Sequence, residues 1–184
     1  AFQESESRRL FGEVAKWVGQ IDDIHRIPEY VAHAWHTALA GRPGPVVLAL
    51  PENVLSAMAD VEDARPAVPV HTGVSPEQMT ELEDLLAGAK RPIIMVGGGG
   101  WSSDVASDLA EFAQRTGIAV CSSFRCQDYM DNRLSTYVGH TGIAISAALA
   151  EQIKSSDLLI CLGARLGELT TREYALVNIP NPGP

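Results

Sequence analysis

Apolar positions in the second half of the chain recur at two spacings, and the switches between them mark out helices and strands. From Ser75, the residues Met79, Leu82, Leu85, Leu86 and Ala89 return at steps of three and four, the stripe of an amphipathic helix. Ser75 and Gln78 at its start predict a capping box, and Lys90 and Arg91 suit the negative end of the helix dipole. Ile93-Ile94-Met95-Val96 is then apolar at every position, which predicts a strand covered on both faces. It empties into four glycines, Gly97 to Gly100, and a polar restart. Val105, Leu109, Phe112 and Ala113 give a further helical stripe closed by Gly117, and Ile118-Ala119-Val120-Cys121 the next strand. A loop-rich stretch runs to Ile143, a helix covers 144–154, and Leu158-Leu159-Ile160-Cys161-Leu162 is a third strand. Strands alternating with helical crossovers predict an α/β fold, a Rossmann-like parallel sheet flanked by helices. Its ligands belong at the carboxyl ends of the strands, in 97–103, 122–141 and 163–171.

The first half is less periodic. Val14, Trp17 and Val18 fit a short strand or a helical turn, and Ile21-Asp22-Asp23 reads as a turn. Pro28 suits the start of a helix whose apolar positions are Ile27, Val31, Ala34, Ala38 and Leu39 and which ends at Gly41. GRPGP turns the chain into Val46-Val47-Leu48-Ala49-Leu50, again apolar throughout and predicted to be buried on both faces. From Pro51 prolines recur up to Val74 and the pattern fades. This predicts an extended interdomain linker over 51–74, with one domain before it and a second opening at Ser75.

Charge narrows the partners. Fourteen basic against 23 acidic residues give −9, which argues against nucleic acid and anionic membranes. Three cysteines, Cys121, Cys126 and Cys161, form no CxxC pair and predict reduced, mostly buried thiols in a cytoplasmic protein. The chain opens on AFQESESRRL without a methionine and closes on NIPNPGP just after an apolar stretch, so a segment of a longer protein is expected.

Few residues carry obvious chemistry. Gly98 and Gly99, ahead of a helix, can let a phosphate approach the backbone or can serve close packing alone. The dinucleotide pattern GxGxxG fails, because the sixth residue is Ser102 or Ser103, and no acidic residue follows Cys121, so NAD is not expected. His33 and His36 lack a third ligand and read as a solvated helix face. Asp128, Asp131 and Asn132 match no calcium loop and read as a turn. His140 lies in a loop at a strand's carboxyl end, and Arg165 can hold a phosphate or carboxylate, or pair with Glu168 or Glu173. No serine, histidine and aspartate arrangement suggests a nucleophile triad.

AFQE, Lys16-Trp17, GRPGPVVLALPENV, KRPIIMVGGGG and SSDLLICLGARLGELTT together resemble the thiamine-diphosphate-dependent enzymes of the acetolactate synthase and benzaldehyde lyase type. The resemblance covers essentially the whole chain, with GRPGPV-x-L-x-LP its most specific part. It implies that 1–57 is part of a second α/β domain, the end of the pyrimidine-binding domain, with 58–74 the linker and 75–184 most of the central domain. It implies a parent enzyme that makes or breaks carbon–carbon bonds beside a carbonyl, acting on a 2-oxo acid or aldehyde with thiamine diphosphate and Mg2+. The activating glutamate and the diphosphate loop of such enzymes would lie outside this chain, which alone would be inactive. Dimers or tetramers are implied as well. In different members the central domain holds FAD, ADP or nothing. The residues here that would meet a nucleotide are Gly98, Gly99, Gly139, Thr141, Gly163, Ala164 and Arg165. Two departures move the chain from the flavin pattern toward flavin-free lyases and carboligases. Gly139-His140-Thr141-Gly142 stands where a GMHG-like loop is usual, and Leu166-Gly167-Glu168-Leu169 follows the GAR motif. The competing expectation is an independent nucleotide-binding or structural α/β module.

Overall fold

The computed structural model describes residues 5–177 except Pro69 and His71. The opening AFQE and the closing NIPNPGP motif lie outside that range, apart from Val177 just before it. The chain divides into two compact units, Ala1–Gly73 and Val74–Pro184.

In the first unit, α1 (Ser7–Phe11) precedes β1 (Trp17–Gln20), α2 (Ile27–Leu39), β2 (Val46–Ala49) and α3 (Glu52–Ser56). β1 and β2 pair in parallel, Trp17 opposite Val46 and Gln20 opposite Ala49. The Trp17 ring covers Gly19 and meets His33 of α2 edge-on at 4.6 Å, while His33 and His36 both remain exposed on the helix face. Lys16 Nζ donates to the carbonyls of Ala40 (2.7 Å) and Arg42 (3.0 Å), placing a cation where α2 leaves carbonyls unpaired. β2 is half-buried at every residue, not covered on both faces as its apolar run predicts. A two-stranded sheet has too few neighbours to cover it. The predicted proline-rich stretch contains α3, which buries Val54, and its described residues between Ser56 and Ser75 form no helix or strand.

The second unit contains α4 (Pro76–Gly88), β3 (Pro92–Val96), α5 (Ser103–Thr116), β4 (Ala119–Ser122), β5 (Tyr137–His140), α6 (Ala147–Ser155) and β6 (Leu158–Leu162). Its sheet has the order β5-β4-β3-β6, all parallel. Among the described residues there are four strands here, where the sequence pattern predicts three. β5 was hidden in the loop-rich stretch because Tyr-Val-Gly-His is short, broken by a glycine and not alternating. β3 is central and apolar at each position because both its faces are covered: Ile93 and Met95 pack with Leu149, Ala150 and Ile153, while Ile94 and Val96 pack with Leu109 and Ala113. The chain thus wraps α6 on one side of the sheet and α5 on the other.

Local signals behave as written. Ser75 Oγ accepts from Gln78 N while Gln78 Oε1 accepts from Ser75 N, the predicted reciprocal cap. The stripe of α4, in contrast, is only partly covered: Met79 and Leu85 are exposed. Beside it, Asp157 reaches back from the foot of β6 and accepts from the backbone N–H groups of Lys90 and Arg91, both at 2.8 Å. These two bonds hold the Asp157 carboxyl below its usual range. A lowered folded pKa contributes stability at neutral pH that is lost as pH falls through it. Asp157→Ala is therefore expected to melt below the wild type at pH 7, with the gap closing at acid pH, in thermal unfolding followed across that range.

Candidate functional site at the carboxyl edge of the sheet

Four carboxyl ends meet at one edge of the second unit: Val96, Ser122, His140 and Leu162. Sequential strands β3, β4 and β5 run one way from β3 and β6 lies on its other side, so the order reverses between β3 and β6. In open α/β sheets that reversal parts the connections and opens the crevice where ligands bind.

The base of the crevice is backbone packed on backbone. Gly98 has φ +75, and a Cβ there would run into the carbonyl oxygen of Gly163. Gly163, at φ +68, would meet Gly97 O at 2.5 Å. Gly97 N donates to Leu162 O at 3.1 Å, and Val96 bridges Gly163. Gly99 differs: it lies outside the left-handed region and faces open space; Gly100, left-handed at φ +85, faces open space as well. Among the described residues no acceptor takes the N–H of Gly98, Gly99 or Gly100. Gly98 and Gly99, equivalent in the sequence, are thus a packed base and an open rim. α5 begins behind them, its first turn capped by Ser102 Oγ, which accepts from Val105 N at 3.2 Å. That start adds positive potential to the same side.

The other predicted site residues scatter around this edge. Gly139 lies within β5, and a Cβ on it would meet Leu149 Cδ2 at 3.5 Å. Thr141 is fully buried, with N at 2.8 Å and Oγ1 at 3.4 Å from Ser122 O. Its hydroxyl is occupied in joining β4 to β5. Ala164 is half-buried against Gly97, and Arg165 next to it is exposed and pairs with neither Glu168 nor Glu173. Asp131 accepts from Arg133 N and its guanidinium, a turn that holds its carboxyl down to about 2.

Three features escape a reading of the sequence. Ser122 Oγ and Tyr137 Oη share a hydrogen bond of 2.9 Å across β4 and β5. The Trp101 and Tyr129 rings stack at 5.1 Å beside the glycine turn. Arg172, Glu173 and Tyr174 all adopt positive φ in a left-handed turn, held where Thr171 Oγ1 bonds Gly167 O and accepts from Tyr174 N. None of the three is glycine or asparagine, so no local signal announces that turn. Cys121 is buried beneath the site, and desolvation pushes its thiol up to about 12, which keeps it protonated and inert.

Grooves of this unit also lie elsewhere. One of about 650 Å3 runs along the foot of β6 past Ile153, Leu158, Leu166 and Leu176, at the end of the sheet where strands begin. Its lining is mostly aliphatic, and the strand-order reversal makes the carboxyl edge the better candidate. Among the described residues no cluster of three or more histidine, cysteine or acidic side chains could hold a metal, and no helix is long and apolar enough to cross a membrane.

Comparison with known proteins gives the same region a context. Residues 79–182 match the family model described as thiamine pyrophosphate enzyme, central domain. The chain is 31% identical over 175 residues to an acetolactate synthase large subunit of Corynebacterium glutamicum, covering 93% of this chain and 28% of that protein. It is 31% identical over 182 residues to a probable acetolactate synthase large subunit of Methanococcus aeolicus, covering 93% and 30%. It is 26% identical over 171 residues to the acetolactate synthase isozyme 2 large subunit of Escherichia coli, covering 93% and 31%. The chain therefore spans less than a third of the length of these curated relatives.

Proposed function

The chain belongs to the thiamine pyrophosphate enzyme family through its central domain, and on that premise we propose that it is a segment of an acetolactate-synthase-like enzyme acting on 2-oxo acids. The observation that carries this reading is the similarity to acetolactate synthase large subunits across 93% of the chain, both units included. In it, 1–57 is the end of the pyrimidine-binding domain, 58–74 the linker and 75–184 most of the central domain. The parent enzyme is cytoplasmic and works as a dimer or tetramer.

Thiamine diphosphate with Mg2+ supplies the acidic carbon at which such enzymes make or break bonds beside a carbonyl. The described residues do not fit that group, since they offer no metal-binding cluster. It is held by other segments of the parent protein, and this segment alone is inactive. Its own part is to scaffold the assembly and to offer the edge formed by Gly98, Gly99, Gly139, Thr141, Gly163, Ala164 and Arg165 to the diphosphate of a nucleotide, ADP or the ADP half of FAD. The N–H groups at 98–100 and Arg165, none of which has a partner among the described residues, support that role. The buried hydroxyl of Thr141 and the buried Gly97 act behind it.

The test is turnover by the full-length protein. Release of CO2 from a 2-oxo acid, with formation of a new carbon–carbon bond, is expected only when thiamine diphosphate and Mg2+ are both supplied. Equal turnover without thiamine diphosphate would remove the proposal.

A further inference from the structure

α2 of the first unit carries a small apolar patch away from its buried residue. Ala34 is buried, while Val31 and Trp35, one helical turn apart, stay exposed, the indole at 61%. The chain's own proline-rich stretch meets that patch. Val31 and Trp35 of α2 and the stretch Ala64-Arg65-Pro66-Ala67 together line a mostly apolar groove of about 330 Å3.

Two further observations tie the stretch to the first unit. That compact unit continues to Gly73, well past the end of α3 at Ser56. Among the described residues of 60–74, Ala67 is half-buried and every other one is exposed. Proline locks its own φ and keeps the residue before it extended, so Arg65-Pro66 meets the groove with little conformational freedom left to lose. Aromatic-lined grooves take proline-rich segments on the same physical ground.

We propose that Ala64–Ala67 is a latch by which the linker closes on Val31 and Trp35 of α2, fixing the length of chain that spans from the first unit to α4. With the latch closed that span is 68–74, which at ~3.3 Å per residue reaches at most about 23 Å. With it open the span begins at Ala57, after α3, and its limit rises to about 60 Å. The latch is therefore a device that sets how far the two units can separate. It rests on the reading of 58–74 as the linker of the parent protein.

The experiment is limited digestion of the full-length protein with elastase, which cuts after small apolar residues, with the rate at each bond read by mass spectrometry. Wild type is compared with Trp35→Ala, with Ala67→Asp and with the double variant. Each single variant is expected to raise cutting after Ala64 about tenfold, while cutting after Ala57, outside the latch, stays the same. The double variant is expected to cut no faster than either single one, because both remove the same contact. An unchanged rate after Ala64 in either single variant would overturn the latch, and so would additive effects in the double variant. An equal rise after Ala57 and Ala64 would overturn it too, since that marks general loosening of the first unit. Wild type that is cut nowhere in 57–74 would remove the linker reading itself, and the latch with it.

Discussion

Gly98→Val is expected to unfold the second unit at a melting temperature lower by roughly 10 °C or more, while Gly99→Val leaves it almost unchanged. The two residues are neighbours in a run of four glycines, and their surroundings are opposite. Gly98 sits at φ +75, where a side chain costs about 1–2 kcal/mol. Its new Cβ would also strike the Gly163 carbonyl oxygen, which is backbone and cannot swing aside. Overpacking of that kind adds about 1–3 kcal/mol. Gly99 has nothing within 4 Å of the same position and no left-handed φ, so its substitution falls within about 0.5 kcal/mol, the range of surface changes. Differential scanning calorimetry of the two variants checks this. Equal melting temperatures would contradict the packed-base account, and a large loss from Gly99→Val would contradict the open rim.

Ile153→Ala is the second large effect, an expected loss of about 3–4 kcal/mol. Ile153 is 1% exposed on α6 and packs with Ile93, Met95 and Leu149 at the centre of one core cluster. Removing three carbons there leaves a cavity bounded by strands that cannot collapse into it. Leu85→Ala on α4 is the control. Leu85 is 52% exposed, and its loss is expected to cost below about 1 kcal/mol. Urea unfolding of both variants separates the two cases, and similar midpoints would show that α6 is not the anchor.

Leu85 also shows where the sequence stopped being informative. Its stripe on α4 has the same periodicity as that of a buried helix, but periodicity reports which face is apolar and not how fully that face is covered. The apolar run of β2 misleads in the same way: it is half-buried although written like the fully buried β3. β3, α5 and β6 were legible because each has a long uniform pattern and clear stops. β5 was not, since four residues with a glycine carry no period. At the site, the glycine turn and Arg165 could be found from their spacing. The split between Gly98 and Gly99 and the stack of Trp101 on Tyr129 could not, because each depends on contacts between residues distant in the chain; the left-handed turn at Arg172 is local, but none of its residues carries a turn signal.

The claim at the centre of this account is that thiamine chemistry belongs to the parent protein and that this segment only supports it. The most direct test is a calorimetric titration of the isolated 184-residue chain with thiamine diphosphate and Mg2+, beside the full-length protein, after near-ultraviolet circular dichroism has shown the chain to be folded. The account predicts binding and turnover by the full-length protein and neither by the folded segment. Saturable binding of thiamine diphosphate by the segment, or decarboxylation of a 2-oxo acid by it alone, would contradict the account.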